Sequence, residues 1–104
     1  MTPQDVKNLF ENWGEASESL DCIAPVRFFD EISGWQCFIL SLDVETSDDI
    51  VCIIDDKSRN PDLCRFSLKE LYALYNSDGE RVKKDLDYRP KTLKQILKNS
   101  KNGI

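Results

Sequence analysis

Two apolar runs dominate the pattern of this chain, one from Trp35 to Asp43 and one from Ile50 to Asp55, with the polar gap Val44 to Asp49 between them. Both are rich in β-branched and aromatic residues, and the gap is acidic and turn-forming. They predict two neighbouring strands joined by a loop. Under period-two alternation the first run is apolar on both sides: Trp35, Cys37 and Ile39 on one, Phe38, Leu40 and Leu42 on the other. A strand of that kind belongs in the middle of a sheet, covered on both faces.

The remaining apolar positions read as cover for this pair. Val6, Leu9, Phe10 and Trp13 fall at helical spacing behind Thr2, Pro3 and Asp5, which suit a helix start, and ahead of Gly14, which suits a stop. Leu20 to Phe29 predicts a strand that Pro25 either makes an edge or forces to begin after it, because proline lacks a ladder donor. Asp30 to Gly34 is a short turn, so a hairpin into Trp35 is expected. Asp56 to Asp62 is a loop, and Leu63 to Phe66 a short extended piece. Ser67 and Glu70 have capping-box spacing, followed by a stripe of Leu68, Leu71, Tyr72 and Tyr75. Asn76 to Gly79 breaks that helix. Glu80 to Tyr88 predicts a last short strand with Val82, Leu86 and Tyr88 as its apolar points, ended by Pro90. Thr92 and Gln95 offer a second cap for a helix carrying Leu93, Ile96 and Leu97, with Asn99 to Ile104 fraying.

The order gives a single α+β domain over residues 1–104: a small, mostly antiparallel sheet of three to five strands, with an N-terminal, a central and a short C-terminal helix. A chain of 104 residues buries about 65% of its unfolded surface, enough for one core without staples. The start, Met1 to Asp5, has neither the basic residues nor the apolar core of a signal peptide. No apolar run approaches the ~20 residues needed to span a bilayer. A cytoplasmic protein that does not engage a membrane is expected. Cys22, Cys37, Cys52 and Cys64 form no Cys-x-x-Cys pair, so they are expected as buried small hydrophobes and not as a zinc site or disulfide framework.

Charge changes the picture more than composition does. Residues 1–64 hold 14 acids and 4 bases; residues 65–104 hold 5 acids and 10 bases. The net charge of −5 thus hides an acidic half and a basic half. Seven carboxylates, Asp43, Glu45, Asp48, Asp49, Asp55, Asp56 and Asp62, lie within twenty residues and make a candidate partner-binding surface. Arg81, Lys83, Lys84, Arg89, Lys91, Lys94, Lys98 and Lys101 make a candidate basic patch, its last four lysines recurring at helical spacing and able to track phosphates. Asp85, flanked by Lys83, Lys84 and Arg89, is placed to form an ion pair.

Three segments carry a family likeness. Trp35 to Asp43 is a tryptophan-led strand ending in an acid; Asn60 to Leu71 runs through Pro61, Asp62, Leu63 and then Ser67, Leu68, Glu70, Leu71; Val82 to Pro90 contains Asp85, Leu86, Tyr88 and Pro90. Together they resemble a small bacterial family of unknown function met on plasmids, phages and other mobile elements, often near anti-restriction and conjugation genes. The likeness spans about residues 26–97. Cys64 stands where that family usually has glycine and Asp87 where it has histidine, and its glycine-rich run is here Asp56 to Asn60. The resemblance implies a genomic setting and no reaction.

Chemistry is sparsely supplied. Without histidine, Ser-His and Cys-His mechanisms are excluded, and four scattered glycines make no phosphate-cradling loop. If the two central strands are antiparallel, Asp43 to Asp49 and Asp55-Asp56 lie at opposite ends of the sheet and do not converge on a metal. The chain therefore reads as a non-enzymatic interaction module, with no cofactor expected. On this reading it is encoded by a mobile element or phage, and its partner is a host macromolecule, a host protein first. An anti-defence or anti-restriction inhibitor is one form of this. A nucleic-acid-associated protein using the basic C-terminal segment is the second reading, and a metal-dependent hydrolase using aspartates the third.

Overall fold

The computed structural model describes residues 1–14, 19–31, 33–55, 63–77 and 82–102. In chain order they form α1 (Pro3–Glu11), β1 (Ile23–Ala24), β2 (Val26–Asp30), β3 (Gln36–Leu42), β4 (Asp49–Asp55), β5 (Leu63–Ser67), α2 (Leu68–Ser77), β6 (Val82–Lys84), β7 (Lys91–Thr92) and α3 (Leu93–Asn102). Five strands make one antiparallel sheet in the order β5-β4-β3-β2-β6, and β1 pairs with β7 in a separate two-stranded ribbon. The fold is α+β, and β3 is its central strand, as its two-sided apolar pattern requires.

Pro25 decides where the first strand divides. It cannot donate to a ladder, and the chain leaves the ribbon on one side of it and enters the main sheet on the other. The sheet strand thus begins after the proline, but it is no edge: β2 lies between β3 and β6. The turn into β3 is closed by Asp30, whose amide donates to the Trp35 carbonyl at 2.8 Å, with Gly34 at φ +78° donating back to the Asp30 carbonyl at 2.9 Å. The left-handed backbone there favours glycine.

Two cores flank the sheet. On one face Val26, Phe28, Cys37, Ile39, Leu42, Ile50, Cys52 and Val82 pack beneath Leu9 of α1 and Leu68 and Leu71 of α2. On the other, Phe38, Leu40, Val51 and Ile53 pack beneath Leu93 and Ile96 of α3, with Cys22 and Ala24 from the ribbon. Each large side chain fully buried this way contributes about 1.5–3 kcal/mol. The ion pairs Arg27–Asp85 (2.8 Å) and Lys83–Glu31 (3.7 Å) are partly or largely exposed and contribute about 0–1 kcal/mol each. Packing therefore carries most of the contact between layers, with one ion pair, Lys84–Asp5 at 2.7 Å, joining β6 to α1.

Strict alternation fails at one place. Ile39 pairs with Cys52, but Ser41, two residues on, pairs with Val51, so Leu40 and Ser41 form a β-bulge. The bulge turns Leu42 to the side of Cys37 and Ile39, away from the Phe38–Leu40 side where alternation placed it. Asn12, which caps the end of α1, secures the irregularity. Its Nδ2 donates to the Leu40 carbonyl and to the Ile23 carbonyl, each at 2.9 Å. Trp13 follows, and packs on the α3 side while Val6, Leu9 and Phe10 stay on the other, so the expected stripe divides at the helix end.

Other boundaries also shift. The strand expected over Glu80 to Tyr88 is only Val82–Lys84, and Leu86, counted among its apolar points, is 86% exposed in the turn that follows. Lys91–Thr92, read as the approach to a helix, is β7. The helix runs to Asn102, past the expected start of fraying at Asn99. The loop Asp56 to Asp62 and most of the break after Asn76 lie outside the described residues, as does the side chain of Tyr75.

Replacing Asn12 with alanine leaves two carbonyls without their donor and is expected to cost about 1–3 kcal/mol in urea unfolding at unchanged m-value. The Ser41 hydroxyl is fully buried without a hydrogen bond among the described residues, so Ser41→Ala is expected to be neutral or stabilising in the same assay. A large loss from Ser41→Ala would contradict this account of the bulge.

Candidate interaction surface

Four of the five described acids of the central hairpin are engaged within the protein's own fold, Asp43 and Asp48 by backbone amides and Asp49 and Asp55 by side chains. Asp43 accepts the Glu45 amide at 2.8 Å, and its carbonyl accepts from Ser47, which sits at φ +53°. Thr46 Oγ1 accepts the amides of Asp48 and Asp49, both at 3.2 Å, and its hydroxyl reaches Asp49 at 3.5 Å. Asp48 does most. Its carboxylate accepts the Ser67 hydroxyl and the Lys69 amide, each at 2.9 Å, and its carbonyl accepts the Leu68 amide at 2.7 Å. Ser67 in turn accepts the Glu70 amide at 3.3 Å, half of the box its spacing predicts, while Asp48 supplies the anion at the start of α2. These bonds, led by the Lys69 amide, hold the Asp48 carboxyl below the usual aspartate range.

The acids do not gather. Asp43, Glu45, Asp48 and Asp49 lie at one end of the β3–β4 hairpin and Asp55 at the other, paired with Gln36. Asp49 and Asp55 are the two ends of the seven-residue β4, about 20 Å apart. Asp55 is buried and accepts Gln36 Nε2 at 3.0 Å. Asp56 and Asp62 lie outside the described residues. No three carboxylates or thiols among the described residues form a group able to hold a metal ion.

The bases divide as well. Lys84 pairs in register with Phe28, faces the α1 side and donates to Asp5 at 2.7 Å. Burial opposes ionisation of Asp5, but the bonds from Lys84 and Thr2 outweigh it and hold that carboxyl below its usual range. Lys83 reaches Glu31 at 3.7 Å. Asp85 does form an ion pair, but with Arg27, 58 residues away, and not with its neighbours in sequence. Arg27 was not legible as a partner. Its Nε donates to Gln36 at 2.9 Å, and its guanidinium lies over Phe29 at 4.8 Å, so a polar row crosses the sheet from Asp85 through Arg27 and Gln36 to Asp55.

What remains is a basic ridge along the segment from Arg89 through β7 into α3. Arg89, Lys91, Lys94 and Lys98 are exposed and form no ion pair among the described residues; Lys101 lies in the last turn of α3, and Arg81 is outside the described residues. From Tyr88 to the end the sequence contains no acid. The ridge is assembled from three segments. The Leu93 amide donates to the Cys22 carbonyl at 2.8 Å and the Lys94 amide to the Leu20 carbonyl at 3.0 Å, satisfying helix-start donors. Thr92 and Gln95 form the reciprocal capping box their spacing predicts. Tyr88 donates its hydroxyl to the Ala24 carbonyl at 2.9 Å and accepts the Lys91 amide at 3.1 Å. Burial, with Asp85 adding, pushes the Tyr88 phenol up against the opposing pull of the Lys91 amide and Arg27.

This arrangement ties the Leu20 backbone to Lys94 and sets Ile23 opposite Thr92, and both Leu20 and Ile23 are 53% exposed. Sequence reading missed both apolar residues. In the folded chain, buried positions alternate with more exposed ones from Cys22 to Asp30, and Ile23 falls on the outer set.

Asp48 makes stability depend on pH. Its folded pKa lies below the unfolded value near 3.8, so the unfolded state binds the proton more readily. The stabilisation is complete above the unfolded pKa and is lost as pH falls through the folded one. The stability difference between wild type and Asp48→Asn is expected to shrink between pH 5 and pH 3 in urea unfolding. A difference that stays constant over that range excludes this role.

Comparison of the chain with protein-family models, with curated proteins and with solved structures returns no match.

Proposed function

We propose that this chain is a non-enzymatic binding domain that docks an acidic segment of a host protein on the ridge formed by α3 and the β1–β7 ribbon. The observation that carries the reading is the docking of the start of α3, which bears Lys94 and Lys98, exposed and without ion pairs among the described residues, on the segment that bears the exposed Leu20 and Ile23. Cations give orientation and association rate, and the apolar pair gives area to desolvate. The acidic hairpin is less suited to docking, because Asp43 and Asp48 already spend their carboxylates on local amides. The setting implied by the family resemblance, a phage or other mobile element whose product acts on a host defence protein, belongs to this reading and rests on residues 35–43, 60–71 and 82–90 alone.

A polyanionic nucleic acid is the second reading, favoured by the absence of acids beyond Asp87. It needs no contribution from Leu20 or Ile23, and this separates the two. A hydrolase would need converging carboxylates, whereas Asp49 and Asp55 lie at opposite ends of β4.

The test is capture of partners from host lysate by wild type, by Lys94→Glu/Lys98→Glu and by Ile23→Asp, each checked for folding. Both variants are expected to weaken capture about tenfold or more. Capture unchanged by either variant refutes the ridge. A low-salt gel shift that the lysine variant abolishes and Ile23→Asp spares, with affinity falling steeply with salt, would transfer the surface to nucleic acid.

A further inference from the structure

Three of the four cysteines meet on the α1–α2 face of the sheet. Cys52 of β4 and Cys64 of β5 are direct register partners, with their sulfurs 3.7 Å apart. Cys37 of β3 is hydrogen-bonded to Cys52. In register it lies opposite Ile54, and Cys52 lies opposite Ile39. The Cys37–Cys52 relation is therefore diagonal, at about 7–8 Å between Cα atoms, beyond the reach of a disulfide.

The Cys52–Cys64 pair differs. The Leu68 amide donates to the Asp48 carbonyl, which makes Asp49 and Ser67 a non-hydrogen-bonded pair and, three steps along the ladder, Cys52 and Cys64 a hydrogen-bonded one. Such pairs stand about 5.5 Å apart at Cα, inside the range a disulfide spans. The sulfurs already stand 3.7 Å apart, and closing the bond takes side-chain rotation together with a small approach of β5 to β4, because Cβ atoms across a hydrogen-bonded pair start about 5 Å apart.

We propose that Cys52 and Cys64 form a reversible oxidation site that takes hydroperoxides and closes a disulfide between β4 and β5. The two thiols have different parts. Cys64 lies on an edge strand and is only half-buried, whereas Cys52 is fully buried. The Cys37 hydrogen bond, with burial, pushes the Cys52 thiol far up and keeps it protonated. Cys64 therefore meets the oxidant. Its thiolate attacks one peroxide oxygen, the O–O bond breaks, and the leaving hydroxide takes a proton to give water and a sulfenic acid. The Cys52 sulfur then attacks the Cys64 sulfur; the S–OH bond breaks and the thiol proton leaves with it as a second water. Two thiols and one hydrogen peroxide become one disulfide and two waters. The bond ties edge strand β5, which leads directly into α2, to the interior of the sheet.

The test treats the full chain, freed of reductant, with hydrogen peroxide at low molar excess, then alkylates and measures intact and peptide masses. The expected result is loss of two hydrogen masses, a fall in alkylatable thiols from four to two, and a Cys52–Cys64 cross-linked peptide, all reversed by dithiothreitol. Cys64→Ser should abolish the loss and Cys22→Ser should leave it intact. Because Cys52 is core, the assignment rests on the mapped peptide and on Cys64→Ser. A cross-link mapped to any other pair, a sulfinic acid on Cys64 without cross-link, persistence of the loss in Cys64→Ser, or no change in mass each overturns the proposal.

Discussion

β3 touches water on neither side, and this constraint orders the rest of the molecule. Cys37, Ile39 and Leu42 on one face and Phe38 and Leu40 on the other are all buried. A strand so placed needs a neighbour on each edge, here β2 and β4, and a covering layer on each side. The helices divide accordingly: α1 and α2 take one face, α3 and the small ribbon the other. The described residues hold no further elements for a second shell, so each helix buries one stripe and exposes the other. The outer charges are therefore those left over once both faces are closed.

That leftover is unequal in kind. Acids are incorporated: Asp5 completes the α1 cap, Asp43 and Asp48 shape the hairpin loop and start α2, Asp30 closes the first turn, and Asp55 is buried against Gln36. A carboxylate accepts several hydrogen bonds and serves backbone amides at turns and helix starts well. Lysine accepts none, and its long stem is costly to order. Among the described residues Asp5, Asp30, Asp43, Asp48 and Asp55 are thus consumed as scaffold, whereas Lys91, Lys94 and Lys98 stay on the surface. Formal charge counts weigh both halves alike; hydrogen-bond chemistry does not.

Features set by local chemistry were legible in the sequence. The Thr2–Asp5 and Thr92–Gln95 caps, the central pair of strands and the opposite ends occupied by Asp49 and Asp55 follow from spacing of a few residues. What was not legible depended on distant partners. The bulge at Leu40–Ser41 shows no glycine or proline in sequence, and its register is held by Asn12, about thirty residues away. Asp85 has three bases near it in sequence and chooses Arg27, because β6 lies beside β2. The two-residue ribbon β1–β7 is too short to carry a period, so Lys91 and Thr92 read as the approach to a helix. The exposed position of Ile23 was hidden for the same reason.

The ridge gains from being built out of remote pieces. Residues 20–24, 88–92 and 93–98 are joined by backbone and tyrosine hydrogen bonds, and Leu93 and Ile96 are anchored in the core beneath. The backbone under Leu20, Ile23, Lys91 and Lys94 is therefore ordered before any partner arrives, and a docking partner spends no free energy on arranging it. A frayed basic tail would carry the same charge but would have to be ordered on binding, at about 1–2 kcal/mol per residue fixed. The hydrogen bonds from α3 to the carbonyls of Leu20 and Cys22 turn a run of lysines into a surface. They also hold two apolar side chains half in water, an arrangement with no evident gain for folding alone.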